Sequence, residues 1–232
     1  MQQSDRAVAL KRVPIFAQLS DKALERVAHS CAWSQHEPGE QILSFQDSST
    51  KILFLLSGKA RVVIYSSEGK AVVFRDLTAG MMFGEIAAID RGPRSASVES
   101  LEPCTIASLS AENFERLLLD ESSVALATLQ HLAANVRGLS ERVFEFSTLL
   151  VQNRVQAELL RLAEESGGND EVVLSPAPSL SDIAARISTH REAVSREFSR
   201  LGTMGLLRRD GANLIIASVS KLAKLVHEAK GD

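Results

Sequence analysis

FGEIAAIDRGPRSASV, residues 83–98, is the stretch that decides how this chain is read. Gly84 closes an apolar run and, having no Cβ, lets a ligand come close to the backbone. Glu85-Ile86-Ala87-Ala88-Ile89 is short and helix-prone, and its first N–H groups can cradle an anion. After the turn signal Gly92-Pro93, Arg94 returns on the next strand as a permanent, forked cation suited to phosphate. Ser95 adds a hydroxyl. Glu85 would repel a phosphate, so it must face another part of a ligand, and a sugar hydroxyl is its natural donor. A Glu85–Arg94 ion pair in a surface loop is the plainer account of the same residues.

The surroundings of this stretch are rich in β-signals. Short apolar runs occupy 41–43, 51–57, 60–66, 71–77, 95–100 and 104–109. Pro38-Gly39, Gly58, Glu68-Gly69, Gly80, Gly92-Pro93 and Pro103 separate them. Many short strands at this spacing predict a double-sheet β-roll or barrel. Upstream, residues 20–33 read as a helix capped by Ser20, with Leu24, Val27, Ala28 and Cys31 at helical spacing.

Beyond Ser110 the period changes. A helix is expected over 111–119 and a long one over about 122–151. Leu129, Leu132, Val136, Leu139, Val143, Phe146 and Leu150 alternate spacings of three and four, which is the a/d seam of a coiled coil held for three repeats. A helix packed on its own domain would show a wider stripe. The seam predicts a parallel homodimer through residues 129–150, with Asn135 and Ser140 beside it. A further helix spans 153–165 and ends at Gly167-Gly168; a polar loop follows.

SLSDIAARISTHREAVSREFSRLGTMGLL, residues 179–207, reads as helix, turn, helix. Ser179 or Ser181 caps the first helix, which runs to about Arg186. Ser188-Thr189 supplies the turn and a second cap. In the second helix, from about His190 to Leu201, Val194, Phe198 and Leu201 form the buried stripe. Arg191, Glu192, Ser195, Arg196 and Ser199 lie on the opposite face. Arginine can grip guanine and glutamate can accept from cytosine in the major groove. Glu192 and Arg196 also make an i,i+4 pair, so a merely solvated face is the competing account. Asp210-Gly211 between apolar runs signals a hairpin over 206–217, with Arg208 and Arg209 on it. A terminal amphipathic helix is expected over 221–230.

Composition narrows the function class. The net charge of −3 argues against coating nucleic acid by bulk electrostatics, although the stretch from Ser179 to Ala217 holds six arginines against four acids. No apolar run is long enough to span a membrane, and the first thirty residues lack a signal-peptide core, which places the protein in the cytoplasm with no membrane partner. Cys31 and Cys104 read as buried thiols without metal-ligand spacing. The five histidines are scattered, so no metal site is expected. Glu164-Glu165 do not face each other on a helix, and no Walker loop or triad-like grouping occurs; an enzyme is not expected.

Two blocks resemble a known family. Phe83-Gly84-Glu85 and Arg94-Ser95-Ala96 are similar to the phosphate-binding cassette of cyclic-nucleotide-binding domains. Arg191-Glu192, Val194 and Arg196 resemble the recognition helix of the CRP/FNR family, closest to its cAMP receptor protein branch. The resemblance spans nearly the whole chain. It implies an α+β fold made of an N-terminal cyclic-nucleotide-binding β-roll of jelly-roll type, a long dimerisation helix and a C-terminal winged helix-turn-helix. The corresponding boundaries are 1–121, 122–150 and 151–232. It further implies that Glu85 takes the ribose 2′-hydroxyl, that Arg94 and Ser95 take the cyclic phosphate with Gly84 and the N–H groups of Ile86 and Ala87, and that Val62 and Phe74 line the base pocket. Arg191, Glu192 and Arg196 become base readers. Thr189, His190, Ser195, Arg208 and Arg209 complete the DNA-facing set.

The implied protein is a cyclic-nucleotide-dependent homodimeric transcription regulator of a pseudo-palindromic operator. RNA polymerase is a further partner, with loop 166–176 the candidate surface. One departure bears on the ligand. Where the cAMP receptor branch offers adjacent Thr and Ser to adenine, this chain has Leu139 and Ser140. One base-specific hydrogen bond is lost, so cAMP and cGMP are both expected ligands. Iron–sulfur chemistry is excluded by the cysteine count, and a haem sensor would have no reason to keep Gly84-Glu85 and Arg94-Ser95. The alternative within the fold is a regulator with another effector, or a constitutively active one.

Overall fold

A computed structural model describes residues 3–167 and 170–231. The expected helix end at Gly168 and part of the candidate polymerase loop, Gly168 and Asn169, lie outside the described residues. The chain divides into two compact units. One gathers the described residues up to Ile64 with Phe74–Val136; the other holds Tyr65–Val73 and the residues from Arg137 on.

The first unit opens with α1 (Gln3–Leu10), a 3-10 turn (Pro14–Phe16) and α2 (Asp21–Ser30). Ser20 caps α2 through the Ala23 N–H, as its sequence predicts. The helix is shorter than the expected 20–33. Cys31 is already extended, and Ala32–His36 forms β1, which pairs antiparallel with β8 (Cys104–Leu109). AWSQH has no clean alternation, so only its pairing makes it a strand. The remaining strands are β2 (Gln41–Leu43), β3 (Ile52–Ser57), β4 (Lys59–Tyr65), β5 (Ala71–Thr78), β6 (Met82–Phe83) and β7 (Ser97–Ser100).

Two four-stranded sheets result, in the orders β1-β8-β3-β6 and β2-β7-β4-β5. This is the double-sheet roll that the turn spacing predicts. β3 is buried at four successive positions, which fits its unbroken apolar run. Leu55, Leu77, Phe83 and Ile106 fill one cluster. A second gathers Phe16, Phe54 and Phe114 beneath the helices, and Phe16 meets Phe54 edge-on with centroids 4.9 Å apart. Between β6 and β7 lie α3 (Glu85–Asp90) and a loop, so Arg94 and Ser95 precede the strand rather than sit on it. α4 (Ala111–Asp120) follows β8.

α5 runs from Ser122 to Thr148. Most of its a/d residues are exposed, among them Leu129 62 %, Val136 62 %, Leu139 50 % and Val143 64 %, while Leu132 is half-buried. Helix stops at Leu149-Leu150, where Leu150 is extended (φ −62°, ψ 155°) and offers no side-chain cap to α6 (Val151–Glu165).

The second unit continues with β9 (Val172–Leu174), α7 (Leu180–Arg186), α8 (Arg191–Thr203), β10 (Leu207–Asp210), β11 (Asn213–Ile216) and α9 (Val219–Lys230). β9 falls inside the expected polar loop and pairs with β11, giving a sheet of order β10-β11-β9. Val155, Leu159, Ile183, Val194, Leu201 and Ile216 form its core. Ser179, not Ser181, caps α7. Ser188-Thr189 does not cap α8: His190 holds that position without a side-chain bond, while Thr189 gives its N–H to the Ala184 carbonyl. In the hairpin, Asp210 pairs with Asn213, so Gly211-Ala212 is the loop, one residue later than expected.

Candidate nucleotide pocket and nucleic-acid interface

β6 delivers the chain to Gly84, which takes a left-handed conformation (φ 74°) and opens α3. A Cβ on Gly84 would stand 2.5 Å from Arg94 Nη1, 3.2 Å from the Lys51 carbonyl oxygen and 3.3 Å from Leu53 Cδ1. Both the backbone angle and the space therefore demand glycine. Arg94 is 2 % exposed. Its Nη1 donates to the Gly84 carbonyl (3.0 Å), its Nη2 to the Lys51 carbonyl (2.8 Å) and its Nε to Ser49 Oγ (3.1 Å). Its own backbone is tied to the loop between β2 and β3, its N–H to the Asp47 carbonyl and its carbonyl to the Gln46 N–H. Burial pulls the Arg94 pKa down, while Asp47 and Glu85 oppose that shift. A guanidinium keeps its charge regardless. The simple Glu85–Arg94 ion pair is not formed; carbonyl oxygens and a hydroxyl satisfy the cation instead.

Glu85 is also buried, at 4 % exposure. Its neighbours come from the middle of α5, which sequence reasoning did not predict. Asn135 Nδ2 donates to Glu85 Oε1 (3.4 Å), and His131 Nε2 lies 3.9 Å from the same oxygen. Arg75 Nη1 donates to Asn135 Oδ1 (2.8 Å). Asn135 Nδ2 also lies 3.0 Å from His131 Nε2; an amide N–H can only donate, so a neutral imidazole accepts it. Burial accordingly lowers the His131 pKa, Glu85 raises it and Arg75 lowers it. The position of Asn135 beside an apolar seam was the one available signal.

The structure brings Gly84, Glu85, Ile86, Ala87 and Arg94 together around the α3 turn. Ser95 is exposed beside them. Val62 on β4 and Phe74 on β5 belong to the same unit and are half-buried. Leu139 and Ser140 fall in the second unit and are exposed.

In the second unit, Val194 and Leu201 are fully buried and Phe198 half-buried, as the spacing predicts. Glu197 shares that buried face, which the spacing did not show. Gln156 Nε2 donates to its Oε1 (2.6 Å), and Arg200 grips both oxygens (2.7 and 2.8 Å). Arg191, Glu192 and Arg196 are exposed, and none has an ion pair or side-chain hydrogen bond among the described residues. The Glu192–Arg196 pair of the competing account is not formed. A cleft of about 820 Å³ runs between α7, α8 and the hairpin, lined by Ser179, Ser181, Arg191, Ser195, Arg208 and Arg209 among others. Arg208 lies 3.5 Å from Glu171 in an exposed pair.

Two protein families match the chain: a Cyclic nucleotide-binding domain over residues 34–121 and a Crp-like helix-turn-helix domain over residues 153–225. A CRP-like cAMP-activated global transcriptional regulator of Mycobacterium tuberculosis (strain ATCC 25618 / H37Rv) is 21 % identical over 217 residues, covering 93 % of this chain and 97 % of that protein. Among solved structures, FixK2 from Bradyrhizobium japonicum has a TM-score of 0.72 at 19 % identity, covering 84 % of this chain and 96 % of its own. The c-di-GMP responsive global regulator CLP of Xanthomonas campestris has a TM-score of 0.70 at 18 % identity, covering 85 % and 99 %. These two likenesses are of fold. With both domain families in place along the chain, it belongs to the CRP/FNR family, as a DNA-binding transcription regulator that carries a cyclic nucleotide-binding domain.

Proposed function

We propose that the chain is a homodimeric regulator whose DNA binding depends on a cyclic nucleotide, cAMP and also cGMP. The observation that carries this reading is the buried Arg94 held against a glycine that tolerates no side chain. A guanidinium brought to a backbone turn at 2 % exposure is poised for an anion, and the N–H groups of Ile86 and Ala87 and the Ser95 hydroxyl stand beside it. Glu85, held by Asn135, accepts the ribose 2′-hydroxyl. Val62 and Phe74 line the base. Leu139 and Ser140 meet the ligand from the dimer helix, and Leu139 cannot give the hydrogen bond that would single out adenine.

The three-part division at 121 and 150 follows the change from roll to seam to helix-turn-helix. The exposed α5 seam joins two copies, and two α8 helices about one turn of DNA apart read a pseudo-palindrome. Arg191, Glu192 and Arg196 read bases; Thr189, His190, Ser195, Arg208 and Arg209 hold the backbone. The protein acts in the cytoplasm, with RNA polymerase as its further partner. Calorimetry with cAMP and with cGMP tests the ligand. Arg94→Ala should remove the heat of both, and an unchanged heat would overturn the site. A second reading keeps the fold and changes the effector, as in the c-di-GMP responsive regulator of Xanthomonas campestris. It is favoured if neither nucleotide gives heat with the unmodified chain.

A further inference from the structure

α7 ends at Arg186, and the chain turns into α8 through Ile187, Ser188 and Thr189. The last carbonyls of a helix lack N–H partners within it and carry partial negative charge. A local cap answers part of that need: Thr189, following the left-handed Ser188, gives its N–H to the Ala184 carbonyl. The carbonyls of Arg186 and Ile187 find partners far along the chain. Arg142 on α5 donates from Nη2 to the Arg186 carbonyl, and Arg154 on α6 donates from Nη1 to the Ile187 carbonyl at 3.3 Å. The turn they hold includes Ser188 in a left-handed conformation (φ 51°), which a non-glycine residue does not favour.

The two arginines share a further neighbour. Their guanidinium carbons lie 5.8 Å and 5.6 Å from the ring centroid of Phe146, within cation–π range. Phe146 is an a/d residue of the exposed seam. Arg142 is anchored again through its Nη1, 3.6 Å from Glu158, a carboxylate with 1 % of its side chain exposed. Glu158 also holds the Arg186 side chain at 3.4 Å and that of Arg161. Arg142 on α5 thus holds the backbone of the residue that ends α7, and Glu158 on α6 holds both that arginine and the Arg186 side chain. One α5 residue, Phe146, serves both the seam and the grip.

We propose that Arg142 and Arg154 are positioning residues for DNA recognition: stacked about Phe146, they fix the backbone between α7 and α8 and so set the direction in which α8 presents Arg191, Glu192 and Arg196. The proposal rests on the reading of α8 as the DNA-facing helix. Neither arginine is assigned to DNA. Their loss therefore acts on the aim of α8 and leaves the charge at the DNA surface in place.

The test uses the full-length chain and a duplex selected from random sequences by the unmodified protein. Binding to that duplex and to a random-sequence duplex is measured with and without saturating cAMP, beside the melting temperature and the cAMP affinity. Arg142→Gln and Arg154→Gln should each lower the ratio of selected to random binding at least tenfold and keep the cAMP affinity within twofold. Arg142→Lys, which keeps a cation for the carbonyl, should recover part of the ratio. The double variant should lose less than the two single losses together, because both residues hold one turn. A purely structural role lowers the active fraction for both duplexes alike and leaves the ratio unchanged. An unchanged ratio in both Gln variants overturns the proposal, whatever the melting temperature does. An unmodified chain that selects a duplex equally well with and without cAMP overturns ligand control instead, and the ratio still decides the positioning role. A chain that selects no duplex overturns both.

Discussion

Gly84 is where the smallest change has the largest expected effect on the nucleotide pocket. An alanine Cβ there meets backbone at Lys51 that cannot retreat and a guanidinium that must. The left-handed angle adds a cost of about 1 kcal/mol for a non-glycine residue. Gly84→Ala should therefore displace Arg94 and weaken cyclic-nucleotide binding at least tenfold, about 1.4 kcal/mol. Calorimetry decides it, and a retained wild-type affinity would show that the guanidinium is not needed where it lies. His131 gives a second prediction, in pH. Burial holds its folded pKa below the ordinary value of 6.5. The unfolded chain then binds the proton more readily, so this residue's contribution is complete above 6.5 and is lost as pH falls through the window beneath it. The groups facing it are Glu85, which favours protonation, and Arg75, which opposes it. The melting temperature should fall from pH 7.5 to 5.5 more steeply in the unmodified chain than in His131→Gln; equal slopes would contradict this. These two residues also mark what a sequence can disclose. Gly84 and Arg94 are ten positions apart within one motif and are legible at once. His131, Asn135 and Arg75 meet Glu85 across 46 to 50 residues or through one another, and no local spacing carries that information.

At the scale of elements, periodicity was informative wherever burial is one-sided. The α8 stripe and the runs that became β3, β4, β5 and β8 are placed correctly by it. β1 escaped because AWSQH owes its form to its partner β8 rather than to its own pattern, and β9 because VVL, though rich in β-branched valine and alternately buried, is only three residues long. Glu197 escaped for a related reason: a carboxylate on a buried face is tolerable only because Gln156 and Arg200 meet it; Arg200 stands three residues on along α8, but Gln156 lies on α6 and is invisible in the spacing of α8. The seam itself yields a sharp expectation. Val136 and Val143 are more than 60 % exposed on α5, and large exposed apolar residues in a continuous row mark an interface. A glutamate at either position would face its own copy across a parallel two-fold pair and would combine lost apolar contact with like-charge repulsion. Val136→Glu and Val143→Glu should each shift the protein from dimer to monomer in sedimentation velocity, with the circular dichroism of both units retained. A variant that stays dimeric would move the interface away from the seam.

For the molecule as a whole, the distribution of charge matters more than its sum. A chain of net charge −3 binds DNA only if its arginines are concentrated and not neutralised where the duplex lies. Among the arginines of the second unit two sets stand out. Arg142, Arg161, Arg186 and Arg200 are committed to carboxylates inside the unit. Arg191, Arg196 and Arg209 carry no ion pair among the described residues, while Arg208 shares its charge with Glu171. The second set should behave differently under salt. Each phosphate contact contributes about −0.9 to the slope of log affinity against log salt, and a dimer presents every contact twice. Arg209→Ala should therefore flatten the slope by about 2 and weaken selected and random duplexes alike. Arg208→Ala should flatten it less, because Glu171 already offsets part of that charge. Arg196→Ala should cost about 1–3 kcal/mol on the selected duplex and far less on a random one, since base contacts specify and phosphate contacts only position. Mobility-shift titrations between 50 and 200 mM salt, about the range over which such contacts are felt, separate the three variants. If Arg209→Ala instead altered sequence preference and left the slope intact, the hairpin would be reading bases, and the division between α8 and the hairpin would have to be redrawn.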